Sequence, residues 1–127
     1  MTPFGSFLES VRRTRGLQQT ELASLLGINP SYISAIERGK KGPPSVRVLR
    51  KIKIALSMTD IESQALDLAV EQSERTIKLP KNTSLAEYAF VSVLSRRLGS
   101  LTQEEVDAMA CILRLGEKAN YGGKVMA

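Results

Sequence analysis

The sequence predicts an all-α protein. Helix start signals, helix stop signals and three hydroxyl-to-glutamate capping boxes divide its 127 residues into about seven helical segments. Thr2-Pro3 supplies an N-cap and a first-turn proline, after which Phe4, Phe7, Leu8 and Val11 share one stripe until Gly16 ends it. The second segment, 19–26, carries Leu22, Ala23, Leu25 and Leu26 as core positions and closes at Gly27. The third opens with Asn29 as cap and Pro30 in the first position, runs through Ile33 and Ile36, and stops at Gly39. Residues 40–44 form a loop, because Gly42-Pro43-Pro44 cannot continue a helix. Ser45 then caps a helix that turns Val48, Leu49, Ile52, Ala55 and Leu56 inward.

The capping boxes open the next three helices: Thr59 with Glu62, Ser84 with Glu87, and Thr102 with Glu105. Between the first two, residues 75–81 read as extended chain, a domain boundary with room for a short edge strand. The expected organisation is a first helical domain over 1–72, a linker or short strand over 73–82, a helical pair over 83–116, and a frayed tail over 117–127.

Hydrophobic residues at 43% and charged residues at 24% suffice for a globular core, built from Leu, Ile, Val and Ala because there is no Trp and only three Phe and three Tyr. The chain has no His and a single cysteine, Cys111, read as a buried and inert thiol. Intramolecular disulfides, Cys/His zinc sites and imidazole-dependent catalysis are therefore excluded, and neither an enzyme nor a cofactor is expected. No apolar run reaches the roughly eighteen residues of a membrane span, so a cytoplasmic protein is expected. Charge is unevenly placed. Residues 1–56 hold ten Lys/Arg against three Asp/Glu, and residues 57–127 hold eight against ten. A basic half joined to a slightly acidic one reads as a polyanion-binding module with an appended second function.

The informative stretch runs from residue 18 to 39. Two short helices flank Gly27-Ile28-Asn29, and Leu22, Ala23 and Leu26 can pack on Ile28, Ile33 and Ile36, with Ala23 small enough for the close crossing of a helix-turn-helix. The second helix keeps Ser31, Tyr32 and Ala35 away from that core, as a major-groove reader does. At Gln19, Leu22, Ala23, Gly27, Ile28, Ile33, Ser34, Glu37 and Gly39 the sequence resembles the Xre family of Cro- and cI-like repressors. The resemblance covers about the first half of the chain. It implies a five-helix lambda-repressor-like domain with a C-terminal helical extension, and sequence-specific binding of double-stranded DNA.

The resemblance also implies residue roles. Gln19 would touch a phosphate and brace the recognition helix, Ser31, Tyr32 and Ala35 would face base edges, and Arg38, Lys40 and Lys41 would meet phosphates. Arg12 and Glu37 would form a buried structural ion pair. Two departures stand out: Gln18 replaces the usual Ser or Thr cap, and Pro30 replaces a residue that reads a base in several relatives. Arg47, Arg50, Lys51 and Lys53 lie on one helix and cannot all face DNA, so most are expected on the solvated surface, and Arg13 and Arg15 fit either role.

Residues 84–98 and 102–116 are apolar on more than one face, with Phe90, Val93, Leu94, Met109, Ile112 and Leu115 spread around the helices. They require a partner surface, either the first domain of the same chain or a second copy. Dimerisation is the preferred reading, since a two-fold dimer reads two half-sites. The alternative is a DNA-binding antitoxin whose C-terminal half holds a toxin.

Overall fold

The structure, a computed structural model, describes residues 1–126 of the backbone and side chains through residue 117. Its seven helices are α1 (Pro3–Thr14), α2 (Gln19–Leu26), α3 (Pro30–Glu37), α4 (Val46–Ala55), α5 (Asp60–Gln72), α6 (Leu85–Arg97) and α7 (Gln103–Met126). No strand forms among the described residues, and the segment between α5 and α6 is irregular.

The helices start where short side chains satisfy their first N–H groups. Thr2 accepts from the Gly5 N–H at 3.0 Å and Asn29 from the Ser31 N–H at 2.8 Å. All three capping boxes close in both directions, as when Thr59 accepts from Glu62 at 3.2 Å and donates its own N–H to the Glu62 carboxylate at 3.0 Å. The N–H groups of Ser84 and Thr102 hold the Glu87 and Glu105 carboxyls below the usual carboxylate range. Glu62 is lowered first by the Arg15 guanidinium, which donates to it at 2.6 Å, and then by the Thr59 N–H.

The chain divides into two compact units, Met1–Lys78 and the remainder from Leu79. The first holds α1 to α5 around a core of Phe4, Leu8, Leu22, Ile33, Ile36, Ile52, Leu56 and Leu66, all shielded from solvent. Leu25 is not part of it. Its side chain is 59% exposed, because Leu22, Ala23 and Leu26 form the inward stripe of α2 and Leu25 falls beside it. The unit also runs past residue 72. Ser73, one residue after α5, accepts from the Phe4 N–H at 2.9 Å and donates to the Ala69 carbonyl at 2.6 Å, fastening α5 to the start of α1. Arg15 adds a bond to the Leu56 carbonyl at 2.9 Å, and Lys53 pairs with Asp67 at 2.8 Å between α4 and α5. Arg13 pairs along its own helix with Glu9.

The second unit is the hairpin α6–α7, joined near its loop by Arg97 and Glu105 at 3.0 Å. No residue of α6 is buried. Two expectations fail here. Cys111 is exposed, because its stretch of α7 has no core against which to pack. Gly116 does not end α7, which continues to Met126: the positive φ that stops a helix occurs among the described glycines at 16, 27, 39 and 99. A glycine inside a helix costs only about 1 kcal/mol. Of the tail expected over 117–127, residue 127 lies outside the described residues.

Gly5 permits a close crossing of α1 and α3, where a Cβ would fall on the Ile36 and Glu37 carbonyl oxygens at the end of α3. Gly5→Ala should gain helix propensity yet lose about 1–3 kcal/mol net, the scale of an overpacked contact. Urea unfolding measures this, and a stabilised variant would show that α1 and α3 stand farther apart.

Candidate nucleic-acid interface

Helices α2 and α3 meet across Gly27-Ile28-Asn29. Gly27 takes φ 68, and the Ile28 N–H returns to the Ala23 carbonyl at 3.0 Å, so the chain reverses tightly between them. Leu22, Ala23, Leu26, Ile33 and Ile36 fill the space beneath, with Ile28 against them. This is the geometry of a helix-turn-helix.

The far side of α3 faces solvent. Pro30 and Ser31 are exposed, whereas Tyr32 and Ala35 are half-buried and Tyr32 packs at the core edge. Beyond the helix, Arg38, Lys40 and Lys41 are exposed. Gly39 turns with φ 77, and the N–H groups of Lys40 and Lys41 both return to the Ala35 carbonyl, at 2.9 and 3.2 Å. That turn carries the Lys41 ammonium to 5.5 Å from the centre of the Tyr32 ring, within cation–π range. The structure thus gathers Ser31, Tyr32, Ala35, Lys40 and Lys41 around one helix and its exit.

Arg12 and Glu37 lie behind this face. The Arg12 Nε donates to Glu37 Oε2 at 2.7 Å, Nη2 to Oε1 at 3.0 Å, and Nη1 to the Leu17 carbonyl at 2.7 Å. Their side chains are 8% and 2% exposed. The hydrogen bond to Glu37 raises the Arg12 pKa above its ordinary value against the opposing cost of burial. Gln19 Nε2 donates to the same Glu37 Oε1 at 3.0 Å, so the first residue of α2 is tied to the last of α3. At the cap, the Gln18 N–H donates to the Glu21 carboxylate at 3.0 Å, a contact that does not need the usual hydroxyl.

Sequence reading missed Arg75, whose Nη2 donates to the Gly39 carbonyl at 2.7 Å. The separation of 36 residues leaves no local signal for it. Among the described residues no cluster of His, Cys, Asp or Glu could hold a metal ion, and no helix is long and apolar enough to cross a membrane.

A short tight turn, a buried α2–α3 seam and a solvent-facing α3 define a helix-turn-helix protein. Residues 8–60 match the helix-turn-helix family model. The chain is 40% identical over 58 residues to the HTH-type transcriptional regulator RghRB of Bacillus subtilis, covering 46% of this chain and 42% of that protein. It is 36% identical over 58 residues to the HTH-type transcriptional repressor RghR of the same organism, covering 43% of it. Against the HTH-type transcriptional regulator y4dJ of Sinorhizobium fredii it is 34% identical and covers 74% of that protein. The chain belongs to the Xre-type, Cro/cI-like helix-turn-helix family. It spans less than half the length of the two Bacillus relatives. A solved SinR/SinI complex matches at 21% identity with a TM-score of 0.45, over 91% of this chain and 98% of that one.

Removing either member of the buried pair strands the other. Arg12→Ala or Glu37→Ala should each destabilise the protein by about 3–5 kcal/mol, and replacing both with apolar residues should cost much less. Denaturant melts of the three variants measure this; near-zero losses in the single variants would place the pair in solvent.

Proposed function

We propose that the protein is a sequence-specific, double-stranded DNA-binding transcriptional regulator, a cytoplasmic repressor that reads a palindromic operator as a homodimer. The observation that carries this reading is the solvent-facing α3 with Ser31 at its exposed start and Arg38, Lys40 and Lys41 at its exit. A helix of this kind enters the major groove by its N-terminal end while cations beside it meet the backbone.

Ser31 can donate to or accept from a base edge, Ala35 offers a methyl, and Tyr32 brings the largest surface. Pro30 has neither an N–H nor a polar side chain, so readout at the first helical position is lost and falls on those three. Arg38, Lys40 and Lys41 would neutralise phosphates. Gln19 would keep one amide hydrogen for a phosphate while the other holds Glu37.

The hairpin supports the homodimer. Leu85 is 88% exposed and Ile112 67%, and Phe90, Val93, Leu94, Leu101, Ala108 and Met109 line an open apolar cleft of about 270 Å³ between α6 and α7. Apolar area on that scale is costly in water and is covered in working proteins. A second copy brings two recognition helices to a two-fold site with one interface. Mass measurement in solution tests this: twice the chain mass is expected, and a monomer at micromolar concentration would turn the reading toward a different partner, as in an antitoxin. A genomic footprint would yield operator, symmetry and regulated genes together.

Changing Arg38, Lys40 or Lys41 to Ala should weaken selected and random duplex alike and lower the salt slope by about one per residue. Unchanged slopes in all three variants would assign these cations to solvated surface. Tyr32→Ala should instead cost about 1–3 kcal/mol on the selected site and little on random duplex, since a neutral phenol releases no counterions. Equal losses on both, or a molten variant, would return Tyr32 to a packing role.

A further inference from the structure

Arg75 is an exposed residue three positions past α5, and in the structure its guanidinium reaches back to the turn that ends α3. Its main chain is fixed close by, because Ser73, two residues earlier, is bonded to the start of α1. The carbonyl it holds belongs to Gly39, the residue whose left-handed φ of 77 sends the chain back along α3. From there both lysine N–H groups reach the Ala35 carbonyl, and Lys41 comes to lie over Tyr32. Gly39 also sits flush on the Met1–Thr2 backbone, where a Cβ would collide. The turn is thus held from inside by hydrogen bonds to α3, from beneath by the N-terminal backbone, and from outside by the Arg75 side chain.

We propose that Arg75 is a positioning residue for DNA binding: it clamps the Gly39 turn and so fixes where Lys40 and Lys41 present their charges and how Lys41 covers Tyr32. This rests on the phosphate-contacting role proposed for the two lysines. Arg75 itself touches no DNA in this scheme. Its work is to spare the complex the entropy of ordering the turn at the moment of binding.

The scheme is separable from a direct Arg75–phosphate contact. Citrulline, introduced by semisynthesis, keeps a terminal N–H donor at the reach of the Arg75 Nη2 but carries no charge, whereas alanine keeps neither. With a duplex selected from a random library by the wild-type protein as probe, Arg75→Ala should lose about fivefold in affinity, the scale of one hydrogen bond, with an unchanged salt slope. Arg75→citrulline should bind close to wild type. Amide hydrogen exchange at Lys40 and Lys41 should rise in Arg75→Ala and not in Arg75→citrulline, while core amides such as Ile36 stay protected.

Equal losses in both variants with the slope reduced by about one would make Arg75 a phosphate contact and overturn the proposal. Unchanged affinity in Arg75→Ala, beside a weakened Lys40→Ala/Lys41→Ala double variant, would overturn it alone. A double variant with wild-type affinity and slope would overturn the phosphate role of the lysines first, and this proposal with it.

Discussion

Placing a guanidinium and a carboxylate where solvent barely reaches them is tolerable only when every strong donor and acceptor finds a partner, and Arg12 and Glu37 meet that condition through four segments at once. Arg12 belongs to α1, its third contact is a carbonyl in the α1–α2 loop, and Glu37 ends α3 and also receives Gln19 from the start of α2. A carboxylate in the last turn of a helix opposes the helix dipole, so Glu37 depends on Arg12 all the more. The bidentate geometry leaves little freedom in the angle between α1 and α3. With that angle set, Ile33 and Ile36 must face the core and Ser31 must face solvent.

The same end of α3 is crowded from two further directions. Gly5 lets α1 approach the Ile36 and Glu37 carbonyls, and Gly39 lets the chain leave beneath Met1 and Thr2. Both glycines serve close approach, and only Gly39 also needs its positive φ. The outcome is that α3, eight residues that would have negligible helicity alone, is held at its enclosed C-terminal end. Its free end is the end that offers Ser31.

Features that depend on neighbours in the chain were legible in the sequence. Caps at Thr2, Asn29, Ser45, Thr59, Ser84 and Thr102, and turns at Gly16, Gly27 and Gly39, act within about four residues, so residue type and spacing suffice. The Arg12–Glu37 contact came from resemblance, because nothing in a separation of 25 residues announces it. Ser73, Arg75 and the Arg15–Glu62 pair carried no signal of either kind, since each depends on where α5 and its exit lie against α1, α3 and α4. The misreadings share a cause. Leu25 and Cys111 were placed inside because their neighbours are apolar, but a helix buries a stripe and not a stretch. The boundary expected at residue 116 fails because Gly116 has no left-handed turn to make it a stop.

The unburied α6 has a kinetic and cellular side. A helix of thirteen residues, none of them buried, is marginal in water on its own, and a covering partner would stabilise it. With a second copy as that cover, mass action ties the folding of this unit to the number of chains present. A freshly made or diluted chain then carries an intact α1–α5 unit beside an open, greasy hairpin, the state that proteases and chaperones select against. Under that condition turnover would be fast when the protein is scarce and slow when it is abundant.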